Sequence, residues 1–475
     1  LVVTYRNSPK KTPLMLQSIA MTVSPTCPKR SDRQETGVRP LYHYTPQANW
    51  LSDPNGLVHD GERWHMFYQY NPQGEDWGHM SWGHAVSSDL ARWEELPPAL
   101  LDDERRMVFS GSAVIDHAGT AGFGREAMVA LYTAAATGEP QHQAQALAWS
   151  SDKGTSWTDY PGNPVLDLGM ADFRDPYVFR HESSDSWIMV VVKSNEQLAQ
   201  IYRSHDLLRW TLAWEIPAGD APGQVWECPT LVELPTSYGE QTRWLFKVDA
   251  LSGAPGAGAL YLTGNFDGHR FIPDGPWQVV DQGRDFYAAI AWNGPRDAAG
   301  RPAWIGWMGN HAYQKHFPLK GWRGVMSTPR RVGLLEHPDG LRLTQEIEPS
   351  VAGLFSDFGA LGAGGAIMIA SRLELSADFA GDLVLTDGGS CQLAVRAQGD
   401  RWQIERRDTA LPFLDAEATL DRRDGEGLSL WIDSETVEVL TPDGTGSASF
   451  QHRPLGPGLV AETDQPRHVS VATLA

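Results

Sequence analysis

Three acids in this chain share an unusual setting. Asp53 is followed by Pro54, Asp175 by Pro176, and Glu227 by Cys228 and Pro229. A proline just past an acid can open a strand without breaking an interior hydrogen-bond ladder. A single Asp-Pro marks a turn, but three acids in this setting at one phase of a repeat point to a shared task. Carboxyl groups that converge have a known use. One attacks an anomeric carbon while another delivers a proton to the departing oxygen, and configuration is retained when they stand about 5–5.5 Å apart. Arg174 beside Asp175 suits such a cluster, because a guanidinium keeps neighbouring carboxylates ionised and offers planar donors to sugar oxygens.

Acids so far apart in sequence meet only if a larger periodicity brings them together. The segments HAVSSDLARWEEL, LAWSSDKGTSWTDY, IYRSHDLLRWTLAWE and LYLTGNFDGHRFIPD each read as a strand, a Ser/Asp or Asn/Asp turn and an aromatic residue. Those aromatics, Trp93, Trp157, Trp210 and Phe271, are separated by 64, 53 and 61 residues. That exceeds the roughly 40–45 residues of a compact four-stranded blade but leaves room for four strands with generous loops. Asp53, Ser110, Asp175, Glu227 and Asp285 follow at intervals of 57, 65, 52 and 58. Residues at one phase of a propeller converge at one mouth of its axis, so five phases predict five blades with the acids gathered at the centre.

From about Ala352 the pattern changes to short alternating strands such as LSLWIDSETVEVL, the signature of a sandwich. The expected fold class is therefore all-β, a five-bladed β-propeller followed by a C-terminal β-sandwich. The expected organisation is an irregular segment over 1–40, a propeller over 41–335, a connector over 336–351 and a sandwich over 352–475.

Composition narrows the partners. Among 475 residues the formal charge is -20, which gives a nucleic-acid backbone nothing to hold. The 19 Trp supply apolar ring faces suited to core packing and to stacking on sugars. Cys27, Cys228 and Cys391 are too scattered for a disulfide framework or a zinc site. His79 and His84, five apart, would point to opposite faces of a strand, so no metal or other cofactor is assigned. No apolar run reaches the roughly 20 residues of a membrane span. The stretch Pro13 to Val23 is weak as a signal peptide, which leans towards a cytoplasmic location, with secretion as the alternative.

The blocks NWLSDPNGLVHDGERWHMFYQYNPQGEDWGHMSWGHAVSSDLARW, FSGSA, FRDPYVF, WECPTL, GRDFYA and GWRGVMSTPR together resemble glycoside hydrolase family 32, the invertases, levanases and exo-inulinases. The resemblance runs from about His43 to the C-terminus and implies the same propeller and sandwich. It implies Asp53 as nucleophile, Glu227 as acid/base and Asp175 as the stabiliser of the transition state. It also implies sugar contacts from Gln69, Trp77, Phe109, Ser110, Arg174, Asp285 and Trp307. One departure stands out, because Ser52 occupies the place where the family usually has Asn before the nucleophile.

The reaction implied is removal of terminal β-fructofuranosyl units from sucrose or fructans by double displacement. The rival readings are fructosyl transfer on the same scaffold and a propeller that only binds carbohydrate. Glu227 is expected to resist ionisation because of the nearby negative Asp53.

Overall fold

The computed structural model describes residues 39–475 apart from 139–140, 238–240, 252, 319–320, 363, 424, 454 and 456–457. Most of the segment expected to be irregular, and Cys27 within it, lie outside the described residues.

The Ser/Asp signatures fall on one structural element. In four blades they form the hairpin between the third and fourth strands, as between Ser81–Ser87 and Glu94–Leu100 or between Leu198–Ser204 and Thr211–Pro217. An Asp carboxylate at each turn accepts nearby backbone N–H groups: Asp89 from Arg92, Asp152 from Ser156, Asp206 from Arg209 and Asp267 from Arg270. Such turns let the chain reverse without leaving donors unpaired. The fifth blade turns instead at Pro338, Asp339 and Gly340, and for this reason the repeat fades there.

Five antiparallel sheets result, each beginning with a strand that touches the first strand of the next. These first strands are Asn49–His59, Arg106–Asp116, Phe173–His181, Trp226–Pro235 and Tyr287–Ala291. The fifth packs back against the first, so the sheets close a ring around one axis. Closure is reinforced by Trp322–Arg323, which pairs in parallel with Asn49 and Trp50. Side chains stitch neighbouring blades at the axis. Asn293 Nδ2 donates to the carbonyls of Ala113 and Val178, and Ser112 Oγ to that of Pro176.

Beyond the propeller lie a six-stranded and a five-stranded sheet. Strand Arg401–Asp408 shows the expected period of two, with Trp402, Ile404, Arg406 and Asp408 buried. Leu373, Val395, Trp402, Leu430 and Phe450 share one core. The all-β propeller followed by a sandwich thus matches the fold class expected from sequence. The connector requires correction. Gly340–Ile347 is the outer strand of the fifth blade, paired with Arg330–His337, so the link shrinks to the turn of helix Pro349–Ala352 and its flanks. The mixed polarity of LRLTQEIE reflects a half-exposed outer strand, which reads like a loop from sequence.

The sandwich meets the propeller through buried polar groups. Asp433 accepts from the backbone N–H groups of Leu41, Tyr42 and His43. Glu438 receives Thr328 N–H at 2.8 Å and Arg330 Nε at 3.0 Å. Asp281 accepts from Ser449 N–H, Ser447 Oγ and Arg330. His43 bridges Asp433 and Glu438; burial favours its neutral form, but the two acids outweigh that and raise it to about 9.

Candidate active site

The first strand of every blade loses register at a corresponding place, and that of the first blade slips once more between Asn55 and Val58. The slips lie between Leu51 and Pro54, Val108 and Gly111, Arg174 and Tyr177, Glu227 and Thr230, and Tyr287 and Ile290. Irregularities of this kind bend a strand and re-aim its side chains. Three of the displaced residues, Asp175, Cys228 and Ala288, have φ of 66°, 46° and 56°. Left-handed backbone is uncommon for non-glycine residues and tends to cluster at functional sites. Pro54, Pro176 and Pro229 line a narrow cavity at the axis together with Ser110, Asp175 and Cys228. Gly56 is required just below, because a Cβ there would lie 2.5 Å from the Phe67 ring.

The acids therefore meet at the axis. Ser110 Oγ donates to Asp53 Oδ2 at 2.8 Å, whereas Asp53 Oδ1 is buried with no hydrogen-bond partner among the described residues. Cys228 Sγ lies 3.7 Å from both Asp53 Oδ2 and Asp175 Oδ2, and Cys228 N–H donates to Asp175 Oδ2 at 2.9 Å. Glu227, one residue earlier, accepts from Arg174 Nη2 at 2.9 Å and from the Tyr287 hydroxyl at 2.7 Å. Thr133 of the second blade receives Asp175 N–H at 2.8 Å and holds its strained backbone.

The two flanking acids differ in charge preference. Burial pushes Asp175 up to about 7, with Arg174 opposing and Glu227 and Asp53 adding to the rise. Burial also pushes Glu227 up, but Arg174, His311 and the Tyr287 hydrogen bond outweigh it and hold Glu227 below the ordinary carboxylate range. This reverses the expectation for Glu227. The Arg174 guanidinium beside it helps outweigh burial at Glu227, whereas burial prevails at Asp175. Behind Glu227, Asp249 faces it across the ladder and pairs with Lys247, both fully buried.

Several expected sugar contacts surround this cluster. Arg174 and Ser110 touch the acids directly. Ser52 is buried and accepts from Trp50 Nε1 at 3.2 Å, while Gln69 is buried with Nε2 donating to the Val108 carbonyl. Trp77 is 51% exposed and packs edge-on against Phe109, forming an apolar wall. A depression of about 950 Å³ opens beside it, lined by Asn71, Gln73, His79, Asp102 and Met107.

Two expectations require correction. Asp285 is fully buried, and its oxygens are taken up by Tyr313, Arg406 and the backbone N–H of Gln451, which leaves it committed to the sandwich. Its place at the break is held by Tyr287, two residues on. Trp307 is also fully buried, packed among Trp50, Tyr287 and His311, and offers no face to a sugar. The ring exposed in front of it belongs to His311. Sequence reasoning missed both Tyr287 and His311, although Tyr287 lies 60 residues after Glu227, within the range of the repeat.

Histidines 79 and 84 part company. His79 is exposed and contacts Asp102, whereas His84 is buried, stacked on Phe67 and hydrogen-bonded to His65.

Residues 43–346 match the family described as the glycosyl hydrolases family 32 N-terminal domain. A levanase of Bacillus subtilis (strain 168) is 45% identical over 318 residues, covering 65% of this chain and 46% of that protein. An extracellular exo-inulinase of Aspergillus awamori is 39% identical over 336 residues, covering 62% of each. The chain thus spans about half to three-fifths of the length of these relatives. A crystal structure of exo-inulinase from Aspergillus awamori superimposes with a TM-score of 0.81 at 29% identity, covering 94% of this chain and 99% of that one.

Proposed function

This chain belongs to glycoside hydrolase family 32, and from that premise we propose that it is a retaining β-fructofuranosidase releasing terminal fructose from sucrose or fructans. The observation that carries this reading is the convergence of Asp53 and Asp175 on the Cys228 thiol, with Glu227 held beside them by Arg174. Asp53 and Asp175 each stand 3.7 Å from Cys228 Sγ, and Glu227 precedes that cysteine in the chain.

Asp53 is the nucleophile. Its Oδ1 has no competing partner among the described residues, while Ser110 steadies the other oxygen. Attack on the anomeric carbon breaks the bond to the departing oxygen, which takes the proton of Glu227. Glu227 then removes a proton from water as water displaces Asp53, restoring both carboxyl groups. Arg174 and Tyr287 fix Glu227 through both of its oxygens. Asp175 grips fructose hydroxyls, and those bonds tighten as charge develops on the ring.

Trp77 and Phe109 wall one side of the mouth, which favours a pocket for one terminal unit. The depression beside Trp77 offers room and polar partners for the rest of a chain. The levanase and exo-inulinase names of the relatives agree with a polymeric substrate. Such a substrate is met outside the cell, so we carry forward the secreted alternative rather than the cytoplasmic one.

A chromatographic time course on sucrose, inulin and levan tests the reading. Free fructose is expected from the earliest times on at least one of them. Oligosaccharides as the main early products would remove the pocket, and no cleavage of any of the three would remove the activity.

A further inference from the structure

The loop after Trp307 reaches in two directions. His311 is exposed, with its ring centroid 4.9 Å from Trp307 and 5.4 Å from Tyr287, the residue that donates to Glu227. Two residues on, Tyr313 is buried and its hydroxyl donates to Asp285. Arg406 Nη1 reaches the other oxygen of Asp285 at 2.6 Å, and Arg406 Nη2 reaches the Tyr313 hydroxyl at 3.2 Å. Phe413 packs on Tyr313, and Leu414 closes a small core with Tyr313 and Phe317. Arg406, Phe413 and Leu414 all come from the sandwich.

We propose that Arg406, Asp285 and Tyr313 form a strut through which the sandwich positions His311 on the leaving-group side of Glu227. The proposal rests on the assignment of Glu227 as the acid/base. The proton donor must stand beside the departing oxygen, and His311 is the exposed ring next to Tyr287, which holds that donor. A buried charge network contributes little stability beyond what apolar side chains of similar volume would give, but it tolerates only one geometry. Here that geometry is passed to a loop whose exposed tip is His311. Asp285 also lies two residues before Tyr287, so the strut anchors the start of the strand whose Tyr287 donates to Glu227.

The groups facing Glu227 are Arg174, Tyr287 and His311, with Asp175, Asp53 and Asp249 as the nearby acids. The His311 ring beside Tyr287 favours the ionised form of Glu227. Removing it should move the alkaline limb of kcat/KM to higher pH, whereas a residue that serves folding alone would leave the limb in place.

The test is a double-mutant cycle on sucrose with the full chain. His311→Ala should lower kcat/KM about tenfold and Tyr313→Phe about threefold, while the double variant should match His311→Ala, since coupled residues do not add. Arg406→Lys keeps the charge but loses the fork; it should repeat the Tyr313→Phe result and serves in its place if that variant does not fold. An equal loss from Tyr313→Phe with and without His311, or no loss in either background, would overturn the strut. Glu227→Gln, assayed alongside, separates the two claims: if it hydrolyses sucrose like the parent, the acid/base assignment fails whatever the cycle shows.

Discussion

The axis of the propeller and its seam with the sandwich both bury acids, yet they treat them in opposite ways. At the seam, Asp281, Asp433 and Glu438 are fully enclosed and hydrogen-bonded from several directions. Asp433 alone accepts four backbone N–H groups, those of Leu41, Tyr42, His43 and Ser434, and Glu438 takes up Arg330, His43 and Thr328. At the axis, Asp53 has one oxygen without a partner among the described residues, and Asp175 sits on left-handed backbone with its carboxyl shifted towards the neutral form. Burial does not separate a structural acid from a catalytic one. Between Asp53 and the seam acids saturation does, because a nucleophile whose lone pairs are spoken for has nothing left to attack with. Glu227, which only moves a proton, works although Arg174 and Tyr287 each hold one of its oxygens.

The contrast breaks most sharply under substitution. Asp53→Asn should lose turnover by a factor on the order of 10⁵, as removal of a nucleophile does, with folding little changed. Glu438→Gln should do the reverse. Breaking a buried pair costs about 3–5 kcal/mol of stability, seen as a lower denaturation midpoint, while kcat/KM well below that midpoint stays near the parent value. If Glu438→Gln abolished turnover without loss of stability, saturation would not be the distinguishing property.

A smaller effect sharpens the comparison through pH. Asp175 is raised from 3.8 to about 7, so its contribution to stability is complete below pH 3.8 and is lost as pH rises through 7. Asparagine cannot ionise, and its oxygen can still accept from Cys228 N–H. Asp175→Asn should therefore gain on the parent between pH 4 and pH 7 and melt a few degrees higher above pH 7, while turning over far less substrate. Thermal melts of both proteins across pH check this; a gap that does not change with pH would place Asp175 among the saturated acids.

The same contrast explains what was legible in the sequence. The Ser/Asp hairpins recur because a carboxylate that caps a turn leaves a local signature, and they revealed four of the blades and their period. Asp53, Asp175 and Glu227 were legible because proline follows each at the point where the strand breaks. Counting intervals between acids failed at Asp285, because loop lengths vary and the acids drift against the structural break. Relative to the last paired residue before the break, Asp53 is two places on, Asp175 one, Glu227 level and Asp285 two places early. Arg406 could not be anticipated as its partner, since 121 residues separate them and no local pattern links the two. Trp307 was misjudged because a tryptophan in a sugar site and one in a core look alike until its exposure is known. His311 carries no motif and was placed only by the loop that folds over Trp307.

The central claim is that Asp53 forms the covalent bond and Glu227 moves the proton. The most direct measurement compares Glu227→Gln and Asp53→Asn on sucrose and on a fructoside with an activated leaving group. A general acid contributes about 10²–10⁴ in rate, most of it when the leaving group is poor. Glu227→Gln should lose most of its sucrose turnover and recover much of it on the activated substrate, whereas Asp53→Asn should stay inactive on both. Rescue of Asp53→Asn by the better leaving group, with none for Glu227→Gln, would contradict the assignment.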